Sequence, residues 1–332
     1  MSLSYTICKP HHRSVSINDL GSLNQKSDSI RSIDLIECYR LRSLLIMDPK
    51  IYHLKSLDHN LLEIGTIDAS NRSFIYHVRF SSLNNIYFFQ IENKMINELK
   101  REMISHLTNV QYCEFKMSNL QRLNRDLFEN TNKIYEIVFI YGKIQNSSIY
   151  NFNALGLRRC VILHVTRSAL TVLERKSFRN LFSLLRLYLS DNSITIIEEE
   201  AFFGLENLKN LDLDNNKIRF LDFHLFSGFY LLKRLSIINN QLEKLNVRNG
   251  EINVIDLDLR ENRLTSLEEN FEPESLKKLK ILDISLNNLT RFDFKRRIAN
   301  GPKESFKIDL NELKMIQSNL FMDDSIWFQG FH

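Results

Sequence analysis

The chain has 332 residues, 43% of them hydrophobic, with 44 basic and 40 acidic side chains and a formal net charge of +4. That apolar share is enough for a core, while the mixed charge and the lack of a Lys/Arg block argue against a nucleic-acid binder that tracks phosphates. No stretch approaches the roughly 18 apolar residues of a membrane span, and Met1 to Leu20 lacks the apolar run of a signal peptide.

In chain order, the first pattern is a degenerate one at Ile30, Ile33, Leu35, Cys38 and Leu41, inside an N-terminal segment 1–61. From Leu62 the apolar residues recur as L-x-x-L-x-L-x-x-N-x-L. First positions fall at Leu62, Ile86, Val110, Ile134, Cys160, Leu184, Leu208, Leu232, Val254, Leu279 and Lys303. Most steps are 24 residues, with single steps of 26, 22 and 25. Two clear copies are Leu184, Leu187, Leu189, Asn192, Ile194 and Leu208, Leu211, Leu213, Asn216, Ile218. The last copy begins on Lys303 and recovers the phase at Phe306, Ile308, Asn311, Leu313, Ile316 and Phe321. The array therefore covers 62–324, and 325–332 is a tail with no polar capping helix. An uncapped array exposes apolar surface, so the chain reads as part of a longer protein.

Each alternating apolar pair, such as Leu211-x-Leu213, predicts a short strand with one buried face. Strands are expected near 86–91, 110–115, 134–139, 160–165, 184–189, 208–213, 232–237, 254–259, 279–284 and 306–308. One repeat cannot bury its apolar face alone, so neighbours must stack as a parallel sheet. Asn192, Asn216, Asn240, Asn262, Asn287 and Asn311 are placed to satisfy backbone groups where the chain leaves each strand. Lys94, Ser118, Gly142 and Ser168 hold that place earlier, which predicts a looser N-terminal half. A second row, Phe80, Ile104, Phe128, Phe152, Phe178, Phe202, Phe226 and Phe321, is expected to stack through the core. The 22-residue repeat at Leu232 lacks such a Phe and carries an Asn249-Gly250 turn signal, so it should be thinner.

These repeats resemble the typical 24-residue class of the leucine-rich repeat family. The resemblance spans Leu62 to Phe321. It implies an α/β solenoid, or horseshoe, with a parallel sheet on the concave face and an irregular, 3-10-containing convex side. Animal members of this class are mostly extracellular: Toll-type receptors, chaoptin-like adhesion proteins and slit-like secreted proteins. Extracellular members usually carry cysteine-rich caps, and this sequence shows none at its C-terminal end.

The sequence holds four cysteines: Cys8, Cys38, Cys113 and Cys160. Cys113 and Cys160 occupy core positions two repeats apart, too distant to bond across strands spaced about 4.8 Å apart. Cys8 and Cys38 flank the first pattern, which leaves open either a bridge or two thiols. Sequons occur at Asn71, Asn146 and Asn288, and they permit secretion without requiring it.

No catalytic constellation is visible. G-x-G-x-x-G, G-K-[ST], H-E-x-x-H, paired C-x-x-C and G-x-S-x-G are all absent. His11-His12 are adjacent residues unsuited to shared ligation, and His164 sits at an outward strand position. No cofactor or metal is expected, and the chain is read as non-enzymatic.

The expected partner is a protein, with no nucleic acid and no membrane span. Outward strand positions give a candidate binding face in two halves. The N-terminal half is aromatic and apolar: Tyr87, Phe88, Tyr112, Tyr135, Val138, Ile140, Tyr141 and Ile162. The later half is acidic, with Asp212, Asp214 and Asp258 among interspersed arginines. Contiguous apolar surface and exposed Tyr are features of protein interfaces. The leading function is part of an extracellular or cell-surface receptor or adhesion protein. The competing one is an intracellular scaffold or regulatory subunit, favoured by the missing signal peptide and caps. Location follows the same division: cell surface if the chain is a fragment, cytoplasmic if it is complete.

Overall fold

The structure is a computed structural model. It describes residues 110–140 except 119 and 132, then 152, 155–247, 254–265 and 279–289. Backbone elements are also described at 3–6, 14–17, 30–35, 43–46, 53–57, 63–68, 88–92, 98–99, 101–104, 291–292, 305–307 and 315–316. The contacts divide the chain into two units, Met1–Ser168 and Ala169–His332.

In the first unit, parallel strands follow one another as Ser14–Ile17, Ser43–Ile46, Glu63–Asp68, Phe88–Glu92, Tyr112–Lys116, Glu136–Ile140 and Ile162–Thr166. A separate three-stranded parallel sheet joins Leu3–Thr6, Ile30–Leu35 and His53–Leu57. The degenerate pattern at Ile30 thus lies in that smaller sheet, and Ser43–Ile46 continues the long one. Cys8 and Cys38 lie outside the described residues.

In the second unit the long sheet runs Arg186–Tyr188, Asn210–Asp212, Arg234–Ser236, Asp256–Asp258, Ile281–Asp283 and Ser305–Lys307, each pairing in register with the next. Short secondary pairs form after the turn, Val172–Leu173 with Ile196–Ile197 and Phe220–Asp222 with Lys244–Asn246. Helix is scarce. The 3-10 turn Phe223–Phe226 is capped by Asp222, whose carboxylate accepts from the His224 amide. The chain is a parallel-strand solenoid with little helix, as the repeat pattern requires.

The strands of the long sheet start about two residues later than the apolar pattern alone suggests. The cause is a recurring carbonyl fork one residue after each first position. The Lys209 carbonyl accepts the amides of Lys233 and Arg234 at 2.8 and 3.0 Å, and the Leu185, Lys233 and Ile255 carbonyls do the same for their successors. Regular pairing begins only past that fork. Three residues past the strands ending at Tyr188, Asp212, Ser236, Asp258 and Asp283, the chain turns at a residue with positive φ: Asp191, Asn215, Asn239, Glu261 and Leu286 lie between 51° and 56°. Asn and Asp tolerate that left-handed backbone best, so three of these five positions match their conformation.

The core has two layers of contacts. Under the sheet, Leu187, Leu211, Leu235, Leu257 and Leu282 fill equivalent sites and are all buried. Deeper lies the Phe row, whose members stack on one another in the second unit. In the first unit the row members Phe128 and Phe152 each meet the strand residue Phe139 in a tilted contact, with centroids 6.4 and 6.5 Å apart. In the second, Phe178, Phe202 and Phe226 stack at 6.2 and 5.9 Å. Phe80 and Phe321 lie outside the described residues.

The asparagine row clips adjacent repeats together. Asn216 Nδ2 donates to the Leu213 carbonyl of its own repeat and to the Leu189 carbonyl of the one before, at 2.9 and 3.0 Å. Its Oδ1 accepts the Ile194 amide at 3.0 Å. Asn240, Asn262 and Asn287 repeat the arrangement. The shortened repeat at Leu232 does not break it, because the Leu242 amide still reaches Asn262 Oδ1 at 3.0 Å. Residues 248–253 of that repeat, and Asn311, lie outside the described residues. Ser168, in the place of an Asn, reaches the Thr166 carbonyl two residues back, at 3.0 Å.

Candidate functional site

The outward face of the sheet is set by alternation: in Glu136–Ile140, Ile137 and Phe139 are buried beneath the sheet, so 136, 138 and 140 point away from them. Register then places side chains in rows across strands. One row is Tyr112, Glu136, Ile162, the next Glu114, Val138, His164, and the third Lys116, Ile140, Thr166.

That arrangement intersperses charged positions among the apolar and aromatic ones. The aromatic and apolar residues come from different positions of the repeat, so Val138, Ile140 and Ile162 each meet a charged neighbour, while Tyr112 lies between Phe88 and Glu136. Tyr112 pairs with Glu136, Val138 with Glu114, and Ile140 with Lys116. Tyr135 precedes its strand and is 50% exposed. Ile140 is partly exposed, whereas Val138 and Ile162 are only 7% and 6% exposed, covered by in-register neighbours on this crowded face. Phe88 opens its strand opposite Tyr112. Tyr87 and Tyr141 lie outside the described residues.

A polar network that the apolar pattern does not announce lies across these rows. Lys116 Nζ stands 3.0 Å from Glu114, and the Tyr112 hydroxyl donates to the same carboxylate at 3.2 Å. Burial, and then the Glu114 charge, push the Tyr112 phenol well above its usual range. His164 Nε2 lies 3.2 Å from Glu136. Beneath the face, Cys113 and Cys160 are free buried thiols. Burial pushes Cys113 well up and Cys160 up to about 12, so both remain protonated and unreactive at neutral pH.

In the second unit the row Tyr188, Asp212, Ser236, Asp258, Asp283 runs straight across five strands. Asp258 was expected as an open contact residue. It is 6% exposed, because Arg260 folds back over it with bonds of 2.9 and 2.8 Å. Arg260 also approaches Asp283 at 3.6 Å. Asp212 and Asp214 are half-buried and, among the described residues, have no ion pair within 4.0 Å. Asp214 accepts the Ser236 hydroxyl and the Ile238 amide, both at 2.7 Å. Asp212 accepts the Asp214 amide at 2.9 Å. Desolvation, reinforced by the Asp212 charge, pushes Asp214 up to about 6 against those two hydrogen bonds. Burial raises Asp212 as well.

A pH-dependent stability follows for Asp214. An unfolded aspartate titrates near about 3.9, so the folded chain holds this proton more tightly than the unfolded one. The resulting penalty on folding is absent below about pH 4, grows up to about pH 6 and is full above it. Asp214→Asn removes the charge and keeps an oxygen for Ser236 and Ile238. Thermal denaturation should show the variant more stable by about 1–2 kcal/mol at pH 7.5, a value discounted for solvent screening of a partly exposed group. The two proteins should converge near pH 4. An equal gain at both pH values would show that charge is not the cause.

Among the described residues no group of three or more His, Cys, Asp and Glu side chains is placed to hold a metal. Among the same residues no helix is long and apolar enough to cross a membrane.

Residues 158–218 match the family described as leucine rich repeat. No curated protein matches the chain by sequence. Among solved structures the chain resembles TLR13, in a complex with ssRNA13, with a TM-score of 0.65 and 20% identity over 90% of this chain. It spans 42% of the TLR13 chain, less than half of that protein's length. It also resembles a leucine-rich repeat protein of Leptospira interrogans, with a TM-score of 0.59 and 19% identity over 89% of this chain and 77% of that one. Identities this low speak to fold and not to ligand. Residues 158–218 thus carry leucine-rich repeats, and the chain shares the solenoid fold of these structures.

Proposed function

We propose that this chain is a non-enzymatic protein-binding module, part of an extracellular or cell-surface receptor or adhesion protein, that takes its ligand on the outward face of the strands. The observation behind this reading is the face itself. Its side chains stand in straight cross-strand rows, and in the second unit the asparagine ladder clamps the backbone beneath them, so little ordering entropy is lost there when a partner docks. Tyr135 is exposed and Ile140 partly so, which suits a contact that buries apolar area. Asp212 and Asp214 would set orientation and on-rate rather than most of the affinity. TLR13 is seen with single-stranded RNA. Here the carboxylates of Asp212 and Asp214 would repel phosphates, which favours a protein ligand. A non-catalytic role fits the protonated state of both buried thiols.

The test is capture from matching tissue with two double variants beside the parent. Tyr135→Ala with Ile140→Ser should abolish capture and leave the circular dichroism unchanged. Asp212→Asn with Asp214→Asn should weaken capture modestly, and more at low salt. Retained capture by the Tyr135/Ile140 variant would remove the strand face from consideration. Placement outside the cell has its own check, because the Asn288 sequon lies on an exposed residue. Treatment of the native protein with a peptide N-glycosidase should lower its apparent mass, and Asn288→Gln should remove one step of that shift. A native protein with no glycan would move the assignment to an intracellular scaffold.

A further inference from the structure

The strand face of the second unit is split by charge. Where the strands begin, Arg186, Lys209, Lys233 and Arg234 stand on three successive strands. The fork at the Lys209 carbonyl, bonded to the amides of Lys233 and Arg234, holds the last three of them side by side. Among the described residues, Arg186, Lys209 and Lys233 make no ion pair within 4.0 Å, and Arg234 has Asp256 at 3.4 Å. At the other end of the same strands lie Asp212 and Asp214, likewise without an ion pair. Two strands further along, the chain neutralises its own acids, with Arg260 seated on Asp258 and reaching Asp283. Among the described residues, charge without an ion pair therefore lies on or just beside Arg186–Tyr188, Asn210–Asp212 and Arg234–Ser236, with cations leading and anions trailing.

The two rows are two to five residues apart along a strand, or about 7–17 Å at 3.3 Å per residue. At its near end that spacing falls within the Debye length of about 8 Å at physiological salt, so a ligand meets both rows at once. A uniform polyanion gains at the leading row and loses at the trailing one. A ligand that gains at both must carry two rows of opposite sign. Successive strands lie about 4.8 Å apart, close to the roughly 5.4 Å pitch of an α-helix. A helix laid across the strands therefore brings side chains at i, i+4 and i+7 over neighbouring strands in turn.

Resting on the reading that this face binds protein, we propose that the second unit docks a helical segment of its partner bearing a row of carboxylates beside a row of basic side chains. The carboxylates meet Arg186, Lys209, Lys233 and Arg234, and the basic row meets Asp212 and Asp214.

The probe is a labelled helical peptide with Glu along one stripe and Lys along the adjacent one, titrated against the full chain by fluorescence anisotropy at low and high salt. Controls are an all-Glu-stripe peptide, an all-Lys-stripe peptide and a single-stranded oligouridine. The two-stripe peptide should bind roughly tenfold more tightly than either single-charge peptide and lose affinity at high salt. Lys209→Glu with Lys233→Glu should weaken it roughly tenfold, and the milder Lys209→Gln with Lys233→Gln should give a smaller loss in the same direction. Asp212→Asn with Asp214→Asn should also weaken it. Equal or tighter binding of the all-Glu peptide or the oligouridine overturns the proposal, as does absence of binding by the two-stripe peptide. Native capture that is lost with the Tyr135/Ile140 variant yet indifferent to Lys209→Glu/Lys233→Glu would overturn this inference alone and leave the strand-face reading standing.

Discussion

Asn216→Ala should destabilise the chain by about 3 kcal/mol, whereas Lys217→Ala beside it should change stability by no more than about 0.5 kcal/mol. Asn216 is 6% exposed, and its amide serves four backbone groups. Nδ2 donates to the carbonyls of Leu189, Leu213 and Asp214, and Oδ1 accepts the Ile194 amide. Alanine offers none of these, and the site is too enclosed for water to replace them freely. Each abandoned buried group costs roughly 1–3 kcal/mol, but the losses are not additive because carbonyls retain a second lone pair for other donors. Two of the four groups belong to the preceding repeat, so the damage falls on the interface between repeats. In a solenoid that interface carries much of the stability. Chemical denaturation should show a lower midpoint for Asn216→Ala. Coincident midpoints for the two variants would contradict the role assigned to the ladder.

Gly204→Ala should be at least as damaging, about 3 kcal/mol or more, while Gly228→Ala should lie within about 1 kcal/mol of the parent. Both glycines follow the stacked phenylalanine by two residues, in Phe202-Phe203-Gly204 and Phe226-Ser227-Gly228. Gly204 has a φ of +96°, and a methyl carbon there would sit 2.2 Å from the Arg179 carbonyl oxygen. Backbone atoms are the obstacle, so no rotamer change relieves it, and the conformation is strained for any L residue besides. At Gly228 an added methyl carbon meets nothing within 4 Å. Thermal denaturation of the two variants side by side decides the matter. Similar melting temperatures would mean that the turn at Gly204 shifts easily to admit a methyl group.

The period of 24 and its internal spacing determined a great deal on their own. They located the strands to within about two residues, marked Asn192, Asn216, Asn240, Asn262 and Asn287 as backbone clips, put Phe178, Phe202 and Phe226 in a stack, and kept Cys113 and Cys160 apart. These properties follow from distance along the chain, because a repeated spacing brings equivalent atoms to equivalent places in every turn.

What the tertiary structure alone decided depends on neighbours a whole repeat away. Register put Glu136 beside Tyr112 and Glu114 beside Val138, setting charged positions among the apolar ones. Arg260 folded over Asp258 while Asp214 was left with only neutral donors. Lys209 and Lys233 came together with Arg234 through one shared carbonyl. Gly204 and Gly228, alike in the sequence, separated into a filled corner and an open one. Periodicity states which side of a strand a residue occupies. Burial, charge compensation and steric room are set by lateral contacts about 24 residues distant, and a one-dimensional pattern of apolar spacings carries no record of what stands beside what.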